Sequence, residues 1–383
     1  MSRWRNFCIT ELADFCNAQR IPLSAMERAH KKGNFPYYGA SGIVDYIDNY
    51  IFDGSYILIS EDGENLNSRK TPIAFEATGK FWVNNHAHVL KAKKPHLTAL
   101  IIQYFSQLDL SPYLTGAAQP KLNKASLNLI PLYLPIDESE QKAIASILSS
   151  LKDKIDLLHC QNKTLESMAE TLFRQWFILD STGVSVSIDQ IIDFNPKRTL
   201  IKSQDATYLD MAGLSTVNFR ANGYYRRPFS SGTKFTKRDT LLARITPCLE
   251  NGKAAYIDFL DDNETGWGST EFIVMRPKKE IHPFISYIMC RNPDFKEYAE
   301  SCMEGSSGRQ RVNLDHLKKF NVNLPTEASL RIINELLDSF ESKLINNSKQ
   351  IDSLEKLRDT LLPKLMSGEV RVQYAEEAIA SVA

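Results

Sequence analysis

The chain has 383 residues, which is enough for two or three domains of ordinary size. Hydrophobic residues make up 43% and charged residues 24%, as is typical of a globular protein. Lys plus Arg and Asp plus Glu both number 46, so the net charge of zero points to no class of partner. The sequence has no early apolar run like a signal peptide and no stretch of about eighteen apolar residues, which argues against secretion and against a membrane span.

The six cysteines have no CxxC spacing, which favours free buried thiols over disulfides or a metal site. They are Cys8, Cys16, Cys160, Cys248, Cys290 and Cys302. This usage suits a reducing compartment, so we expect a cytoplasmic protein.

Two halves of the chain repeat each other. Leu134-Pro135 recurs as Leu324-Pro325, 190 residues later. Further matches follow the same order, at spacings that drift as loop insertions would make them: Leu122-Asn123 with Val312-Asn313, Leu165-Glu166 with Leu354-Glu355, Asp14-Phe15 with Asp193-Phe194, Ser55-Tyr56-Ile57 with Thr240-Leu241-Leu242, and Val89-Leu90 with Val274-Met275. Each match alone could be chance, but their common order predicts a duplication.

Each half is predicted to form a mixed α/β domain followed by one long helix. Strand-like runs occur at 55–60, 240–245 and 271–275. The expected boundaries are 1–136 for the first domain, 137–177 for a central helix, 178–325 for the second domain, 326–363 for a distal helix and 364–383 for a C-terminal tail. Pro135 and Pro325 stand just before the helices, and we expect Pro363 to stop the second one.

The two helices have the heptad spacing of a coiled coil. Apolar positions alternate by four and three at Ile144, Leu148, Leu151, Ile155, Leu158, Leu165, Ala169, Leu172 and Trp176, and again at Ile333, Leu337, Phe340, Leu344, Ile351, Leu354 and Leu361. Each seam contains one asparagine, Asn162 or Asn347, which suits a polar pair that fixes the register. A helix of this length spans roughly 50–60 Å, longer than one DNA turn of about 34 Å, so the helices could act as a spacer. The spacing alone excludes neither a plain dimerisation coiled coil nor exposed asparagines on a frayed seam.

Positive charge is concentrated in part of the second domain. From Asn195 to Lys253 there are eleven Lys or Arg residues against four Asp or Glu residues. The cluster includes Arg226, Arg227 and Lys234. Such residues neutralise phosphates in nucleic-acid-binding proteins, although a charge run is more often a solvated surface.

The first domain has fewer basic residues but several polar loops. The loop from Gly116 to Lys121 and its counterpart from Gly305 to Arg311 combine small residues with Gln and Lys or Arg, a combination that allows close approach of a backbone to DNA. A structural turn before a strand explains these loops equally well.

The sequence lacks the motifs of the common catalytic sites. It has no GxxxxGK[ST] phosphate loop and no GxGxxG at a strand–helix junction. His86 and His88 could hold a metal on one strand face, but no further ligand cluster accompanies them, so we expect no metal. Glu250 and Lys253 only weakly suggest a nuclease, and a turn or a DNA-contact loop is the better interpretation. We therefore expect a protein without a catalytic centre.

Several segments resemble type I restriction–modification specificity subunits. They are 243–253 (ARITPCLENGK), 268–274 (GSTEFIV), 172–177 (LFRQWF), 361–370 (LLPKLMSGEV), 37–42 (YYGASG) and 119–123 (QPKLN). The resemblance covers nearly the whole chain, in the family's order of target-recognition domain, helix, target-recognition domain, helix.

The resemblance implies a fold and a function. The fold is two mixed α/β target-recognition domains separated by two long antiparallel coiled-coil helices, as an internal pseudo-twofold repeat. Each recognition domain would read one half of a bipartite, asymmetric sequence in double-stranded DNA, and the helices would set the spacer. Two modification subunits would dock and methylate adenine with S-adenosylmethionine, and restriction subunits that use ATP and Mg would join them. The chain itself would bind no cofactor.

The candidate DNA contacts combine these motifs with the basic clusters. In the first domain they are Tyr38, Ser41, Asn84, Asn85, His86, Gln119 and Lys121. In the second domain they are Arg226, Arg227, Lys234, Arg244, Thr246, Asn251, Lys253, Ser269, Thr270, Arg309, Gln310 and Arg311. If the helices pair antiparallel, one alignment sets Asn162 against Asn347, where two facing amides can satisfy each other.

Two alternatives remain at this stage. A specificity subunit of a related system, with fused cutting and modifying partners, would have the same layout. A coiled-coil scaffold with adhesive domains would bind no DNA.

Overall fold

The computed structural model describes residues 3–116, 119–180, 182–306, 308–370 and 372. It divides into two compact units, of which unit 1 is Met1–Asp156 with Gln350–Ala383 and unit 2 is Leu157–Lys349. Each unit therefore contains one domain and a part of each long helix. The beginning of the first helix groups with the end of the second, and the reverse holds in unit 2, which is the grouping of an antiparallel pair. Most of the predicted tail lies outside the described residues.

In the described residues, the first half of the chain contains ten strands and five α-helices before the first long helix. The strands are β1 (Trp4–Phe7), β2 (Ala13–Phe15), β3 (Lys32–Gly39), β4 (Gly42–Ile47), β5 (Phe52–Asp53), β6 (Tyr56–Ser60), β7 (Ala74–Ala77), β8 (Lys80–Val83), β9 (Ala87–Ala92) and β10 (Leu132–Pro135). The helices are α1 (Ile9–Leu12), α2 (Ala25–His30), α3 (Asn65–Ser68), α4 (Pro95–Gln107), α5 (Lys124–Leu129) and the long α6 (Glu138–Phe173).

The second half continues with twelve strands and four helices in the described residues. The strands are β11 (Val184–Ser187), β12 (Ile192–Phe194), β13 (Asp205–Leu209), β14 (Tyr225–Pro228), β15 (Thr233–Thr236), β16 (Thr240–Ala243), β17 (Ala254–Tyr256), β18 (Thr265–Gly268), β19 (Phe272–Pro277), β20 (Met303–Glu304), β21 (Arg311–Val312) and β22 (Asn321–Leu324). The helices are α7 (Phe284–Arg291), α8 (Pro293–Ser301), α9 (Leu314–Leu317) and the long α10 (Glu327–Met366).

Three sheets recur with the same topology in both domains, and unit 2 has one further pair, β20-β21. Unit 1 contains four-stranded sheets in the orders β2-β9-β6-β7 and β4-β3-β8-β5, together with the pair β1-β10. Unit 2 contains β12-β19-β16-β17 and β14-β13-β18-β15, together with β11-β22. In both units one pair is parallel, β3 with β8 and β13 with β18. The predicted duplication and the predicted fold class are thereby confirmed.

Strand register corrects one of the predicted sequence matches. Leu58 lies opposite Val89 in unit 1, and Leu241 lies opposite Val274 in unit 2. Because Val89 corresponds to Val274, Leu58 corresponds to Leu241, whereas the sequence match set Tyr56 against Leu241. The match was wrong by two residues, a slip that leaves every side chain on the same face of the strand and is therefore invisible to hydrophobic patterning.

The long helices begin where the sequence predicts and end differently. The first ends as an α-helix at Phe173 and continues in a π-helical turn, Arg174–Leu179, in which Phe173 stacks on Phe177 in the core. The second passes through Pro363 to Met366, so the prediction that this proline stops it was wrong. The missing N–H of Pro363 costs only one hydrogen bond near the helix end, and burial of the following Leu365 stabilises the final turn.

The seam asparagines meet. Asn347 Nδ2 donates to Asn162 Oδ1 at 2.9 Å and to Gln161 Oε1 at 3.3 Å. Asn162 Nδ2 donates to Ser348 Oγ at 3.4 Å. Asn162 is 8% exposed and Asn347 1%, and Asn347 Oδ1 has no partner among the described residues. The register matches the predicted alignment, but the expected reciprocal pairing of the two amides is replaced by a single bond between them.

Both units bury apolar residues of their helix segments. In unit 2, Ala169 of α6 and Leu337 of α10 belong to the same hydrophobic core as Phe284 and Tyr287 of α7. In unit 1, Leu148 of α6 and Leu354 of α10 are buried. No helix among the described residues is long and apolar enough to cross a bilayer.

The cysteines are free thiols, as expected, but only Cys290 and Cys302 are buried. Cys8 and Cys160 are exposed, so the expectation that all six are buried was wrong.

Candidate nucleic-acid interface

Three segments of unit 2 that contain predicted DNA contacts lie side by side. The N–H of Arg244 donates to Glu271 O at 2.9 Å, and Val312 N–H donates to Arg244 O at 2.9 Å. The N–H of Thr246 donates to Gln310 O at 3.1 Å, and Gln310 N–H returns a bond to Thr246 Oγ1 at 3.1 Å. Residues 244–246, 269–271 and 310–312 therefore form one backbone frame, which we call frame 2.

Unit 1 builds the same frame from the equivalent residues. The N–H of Glu61 donates to His86 O at 2.9 Å, and Leu122 N–H donates to Glu61 O at 2.8 Å. The N–H of Gly63 donates to Pro120 O at 3.1 Å. An isolated antiparallel bridge joins Asp62 to Lys121, as another joins Ile245 to Arg311 in unit 2. Residues 61–63, 84–86 and 120–122 form this second copy, frame 1.

The two frames carry different side chains at equivalent positions. Arg311 contacts Glu271 in frame 2 at 2.7 Å, and its guanidinium holds the pKa of that carboxyl below its usual value. Lys121, at the position equivalent to Arg311, lies 3.7 Å from Glu61, and His86 lies 2.8 Å from Asp62. The side chains of Arg311 and Lys121 are 51% and 50% exposed. Each frame thus presents an exposed cation beside a carboxylate, and these groups can donate to and accept from base edges.

The loop between β16 and β17 leads out of frame 2. Backbone bonds fold it into a compact turn, with Asn251 N–H donating to Pro247 O at 3.0 Å and Lys253 N–H to Cys248 O at 3.0 Å. Asn251 is exposed on this loop. Two other predicted contacts face inward: Lys253 Nζ donates to Met211 O at 3.0 Å, and Arg244 Nε donates to Val312 O at 3.2 Å. Lys253 thus connects the loop to Met211, and Arg244 makes a bond within frame 2.

Three predicted contacts belong to the other sheet of unit 2. Arg226, on the edge strand β14, forms ion pairs with Asp205 at 2.8 Å and with Glu264 at 3.5 Å. Arg227 lies over the ring of Tyr208 at 4.8 Å. Lys234, on β15 at the opposite edge, lies 5.0 Å from the ring of Phe229. All three find these partners on the strands of that sheet and on its connecting segments.

The remaining predicted contacts of unit 1 lie near frame 1. Tyr38 is half-buried, with its ring 5.8 Å from that of Phe75, and burial raises the pKa of its hydroxyl. The carbonyl of Tyr38 accepts from Asn84 N–H at 3.0 Å, which brings the end of β3 to the 84–86 segment. Ser41, Asn85 and Gln119 are exposed.

The other unit 2 residues have simple placements. Ser269 Oγ accepts from Glu271 N–H at 3.1 Å, which shapes the turn before β19. Thr270 and Arg309 are exposed. Ala117, Ala118 and Ser307, which belong to the two predicted loops, lie outside the described residues.

Sequence reasoning missed the arginines that hold the frames. Arg20 contacts Glu61 at 2.7 Å and donates to Ala87 O at 2.7 Å, so it stabilises frame 1. Arg291 has the same kind of role in unit 2 and donates to Gly252 O at 2.8 Å. Both lie more than thirty residues from most of these partners in sequence, and no motif marks them.

One group of potential metal ligands occurs in the part of the chain that the structure describes, at His282, Asp338 and Glu341 of unit 2. The guanidinium of Arg238 contacts all three, at 3.1 Å, 3.4 Å and 2.5 Å respectively. Burial lowers the pKa of His282. Since an arginine already neutralises these carboxylates, the group is an ionic contact between the domain and α10. The two histidines on and beside β9 have separate partners, since His88 bonds to Asn17 at 2.9 Å and His86 contacts Asp62.

A family model describes this duplicated architecture. The model of the type I restriction modification DNA specificity domain matches residues 1–167 and again residues 182–356. The chain belongs to this family.

Relatives along most of the chain have similar descriptions. A Haemophilus influenzae protein assigned as a type I restriction enzyme specificity subunit is 25% identical over 87% of this chain and 86% of its own length. The MjaIX type I restriction enzyme specificity subunit of Methanocaldococcus jannaschii is 24% identical over 89% and 88%. A crystal structure of the type I restriction–modification system S subunit from M. genitalium matches with a TM-score of 0.61 at 16% identity, over 95% and 96% of the two chains. The last match shows the shared fold.

Proposed function

We propose that the chain is the DNA specificity subunit of a type I restriction–modification complex and that each unit reads one half of a bipartite, asymmetric target. The observation that supports this most strongly is the pair of equivalent frames. The same backbone bonds recur in both units, while the side chains on them differ, as Lys121 and Arg311 do. A common scaffold with different polar side chains is what two readers of different half-sites require.

The paired helices supply the second part of the proposal. They fix the unread spacer between the half-sites and dock two modification subunits. Adenine methylation with S-adenosylmethionine takes place on those subunits, and cleavage takes place on restriction subunits that use ATP and Mg. This chain contributes sequence recognition and no catalytic group.

The test is methylation by a reconstituted complex. The chain purified with its modification partner should methylate adenines in one bipartite sequence, and omission of the chain should abolish this methylation. Methylation or cleavage by the chain alone would contradict the non-catalytic role. An absence of salt-dependent DNA binding by the complex would contradict the whole proposal.

Replacing residues 178–325 with the corresponding domain of a relative tests the assignment of half-sites. One half-site should change while the other stays the same. A change in both, or a change in the half-site that frame 1 reads, would show that the domain assignment is wrong.

A further inference from the structure

Arg291, at the end of α7, is bonded through every N–H of its guanidinium. Nη1 donates to Thr216 O at 3.0 Å and to Gly252 O at 2.8 Å. Nη2 donates to Asn218 O at 3.0 Å and to Ser215 O at 3.3 Å. The remaining donor, Nε, bonds to the hydroxyl of Tyr287 on the same helix. The guanidinium thereby connects residues 215–218 to the loop that carries Asn251.

A buried hydrogen bond continues from this arginine to the long helix. Arg291 Nε donates to Tyr287 Oη at 2.8 Å, and that hydroxyl donates to Glu166 Oε2 of α6 at 2.8 Å. Glu166 is 9% exposed and Tyr287 1%. The link therefore runs from residues 215–218 and Gly252, through Arg291 and Tyr287, to the carboxylate of Glu166 on α6.

We propose that Glu166, Tyr287 and Arg291 are positioning residues that fix the recognition loops of unit 2 to helix α6 and thereby set the fidelity of the second half-site. This inference rests on the proposed function. None of the three residues needs to touch DNA, because they act through the carbonyls of 215–218 and Gly252. One guanidinium makes four bonds to carbonyls and one to a buried hydroxyl, which favours one loop conformation, since any other conformation would give up several of these charge-assisted bonds at once.

Unit 1 holds its frame in a different way. Arg20 pairs with Glu61 of frame 1 itself and bonds to the carbonyls of Asn17 and Ala87. Arg20 is therefore bonded to residues in and near frame 1, whereas Arg291 is connected through Tyr287 to helix α6. Disturbing Glu166 or Tyr287 should consequently affect the second half-site and spare the first.

The test uses Tyr287→Phe and Arg291→Lys in the full chain bound to its modification partner. The phenylalanine removes one hydroxyl from a core that already contains Phe219 and Phe284, so the unit stays folded. The lysine has three donors where five are used, so it cannot bond to the same carbonyls. Affinities are measured for the target duplex and for duplexes with one base pair changed in either half-site. Both variants should lose about tenfold of their discrimination at the second half-site and none at the first.

Tyr298→Phe is the matched control, since it removes a hydroxyl that donates to His316 O at 3.1 Å in the same unit. It should leave discrimination unchanged. Deuterium uptake at 215–219 and 249–253 is a second readout that needs no DNA, and it should rise in both test variants but not in the control. Unchanged discrimination with unchanged uptake, or an equal loss at both half-sites, would overturn the inference. If the two variants show faster uptake but the wild-type complex reads no half-site, the result contradicts the proposed function instead of the positioning role.

Discussion

Lys121 and Arg311 stand at equivalent positions of frames 1 and 2 and are equally exposed. In the proposed function each is the cation nearest a base edge in its own half-site. Replacing Arg311 with alanine should relax discrimination at the second half-site by about 1–3 kcal/mol, and Lys121→Ala should act on the first half-site alone. Affinities for duplexes with single base changes measure both effects.

Lys319→Ala is the control, because it removes an exposed charge outside the frames. It should change at most the overall affinity and its dependence on salt. If Lys121→Ala and Arg311→Ala also lower the affinity for all duplexes equally, these side chains contact phosphates and the assignment to base edges is wrong.

Glu166 gives the fold a specific dependence on pH. Burial raises the pKa of this carboxyl from 4.5 to about 7, against the opposing effects of Tyr287 and Arg291, while Glu170 on the same helix raises it further. Between these two values the folded state binds the proton that the unfolded chain has released. The free energy of unfolding contributed by this group therefore falls as the pH rises through this window and is level above it.

Glu166→Gln removes that titration. The free energy of unfolding of the variant, minus that of the wild type, should therefore rise by about 3 kcal/mol from pH 5 to pH 8. Denaturant titrations followed by hydrogen exchange in α7 measure the difference. Glu170→Gln, one turn along α6, serves as the comparison and should show a smaller change. Parallel pH profiles for the wild type and Glu166→Gln would contradict the burial argument.

Inward-facing cations show what residue-level prediction from sequence leaves out. Arg244 and Lys253 are part of a motif that predicts DNA contact. Their donors nevertheless bond to the carbonyls of Val312 and Met211. These partners are 68 and 42 residues away in the chain, and no local pattern reports such a tertiary contact. Of these three residues of the motif, Asn251 is the one that the structure leaves exposed.

At the scale of elements, local patterns predicted the parts that repeat. Heptad spacing located both long helices and the pairing of Asn162 with Asn347, because a buried seam has a strict period. Strands β6, β16 and β19 were recognisable as apolar runs. The π-helical turn at Arg174–Leu179 and the passage of α10 through Pro363 were not, since both depend on burial of side chains such as Phe177 and Leu365. Tertiary packing overrode the local signal at those two ends.

The seam asparagines predict an interaction measurable in a double-mutant cycle. Asn162→Leu should cost about 1–3 kcal/mol, because the Asn347 amide then lies buried without its partner. The double variant Asn162→Leu/Asn347→Leu should recover most of that loss by placing two apolar residues in the seam. Chemical denaturation of the four species gives the coupling energy. Asn346→Leu, an exposed neighbour on α10, is the control and should be nearly neutral. Additive effects of the two seam changes would contradict the bond between the amides.

At the scale of the whole molecule, the division into units indicates where the helices can be lengthened to test the spacer. Trp176 follows the last α-helical residues and packs on the core of unit 2, so an insertion after it would disrupt that core. The border between the units crosses α6 after Asp156 and α10 after Lys349. Seven residues added to each helix there preserve the heptad phase of both seams.

This double insertion lengthens each helix by about 10 Å. If the helices set the spacer, the unread spacer of the methylated sequence should grow by about three base pairs while the bases read stay the same. Mapping of methylated adenines in a genome that carries the variant measures this. Inserting seven residues into α6 alone leaves α10 too short to pair with it along its whole length, so this control should abolish methylation. A changed half-site with an unchanged spacer would refute the role of the helices.

The division of the chain also has a consequence for biosynthesis. Unit 2 is one uninterrupted segment, Leu157–Lys349, whereas unit 1 needs residues from both sides of it. Gly368, with a φ of +75°, has room for no side chain because Trp4 lies against it, so the two ends of unit 1 meet in the folded chain. During translation the first domain emerges early, but its helix pair stays incomplete until the ribosome has passed Gln350. Unit 2 has by then been made in full and can fold, so the domain made first is the last to be completed.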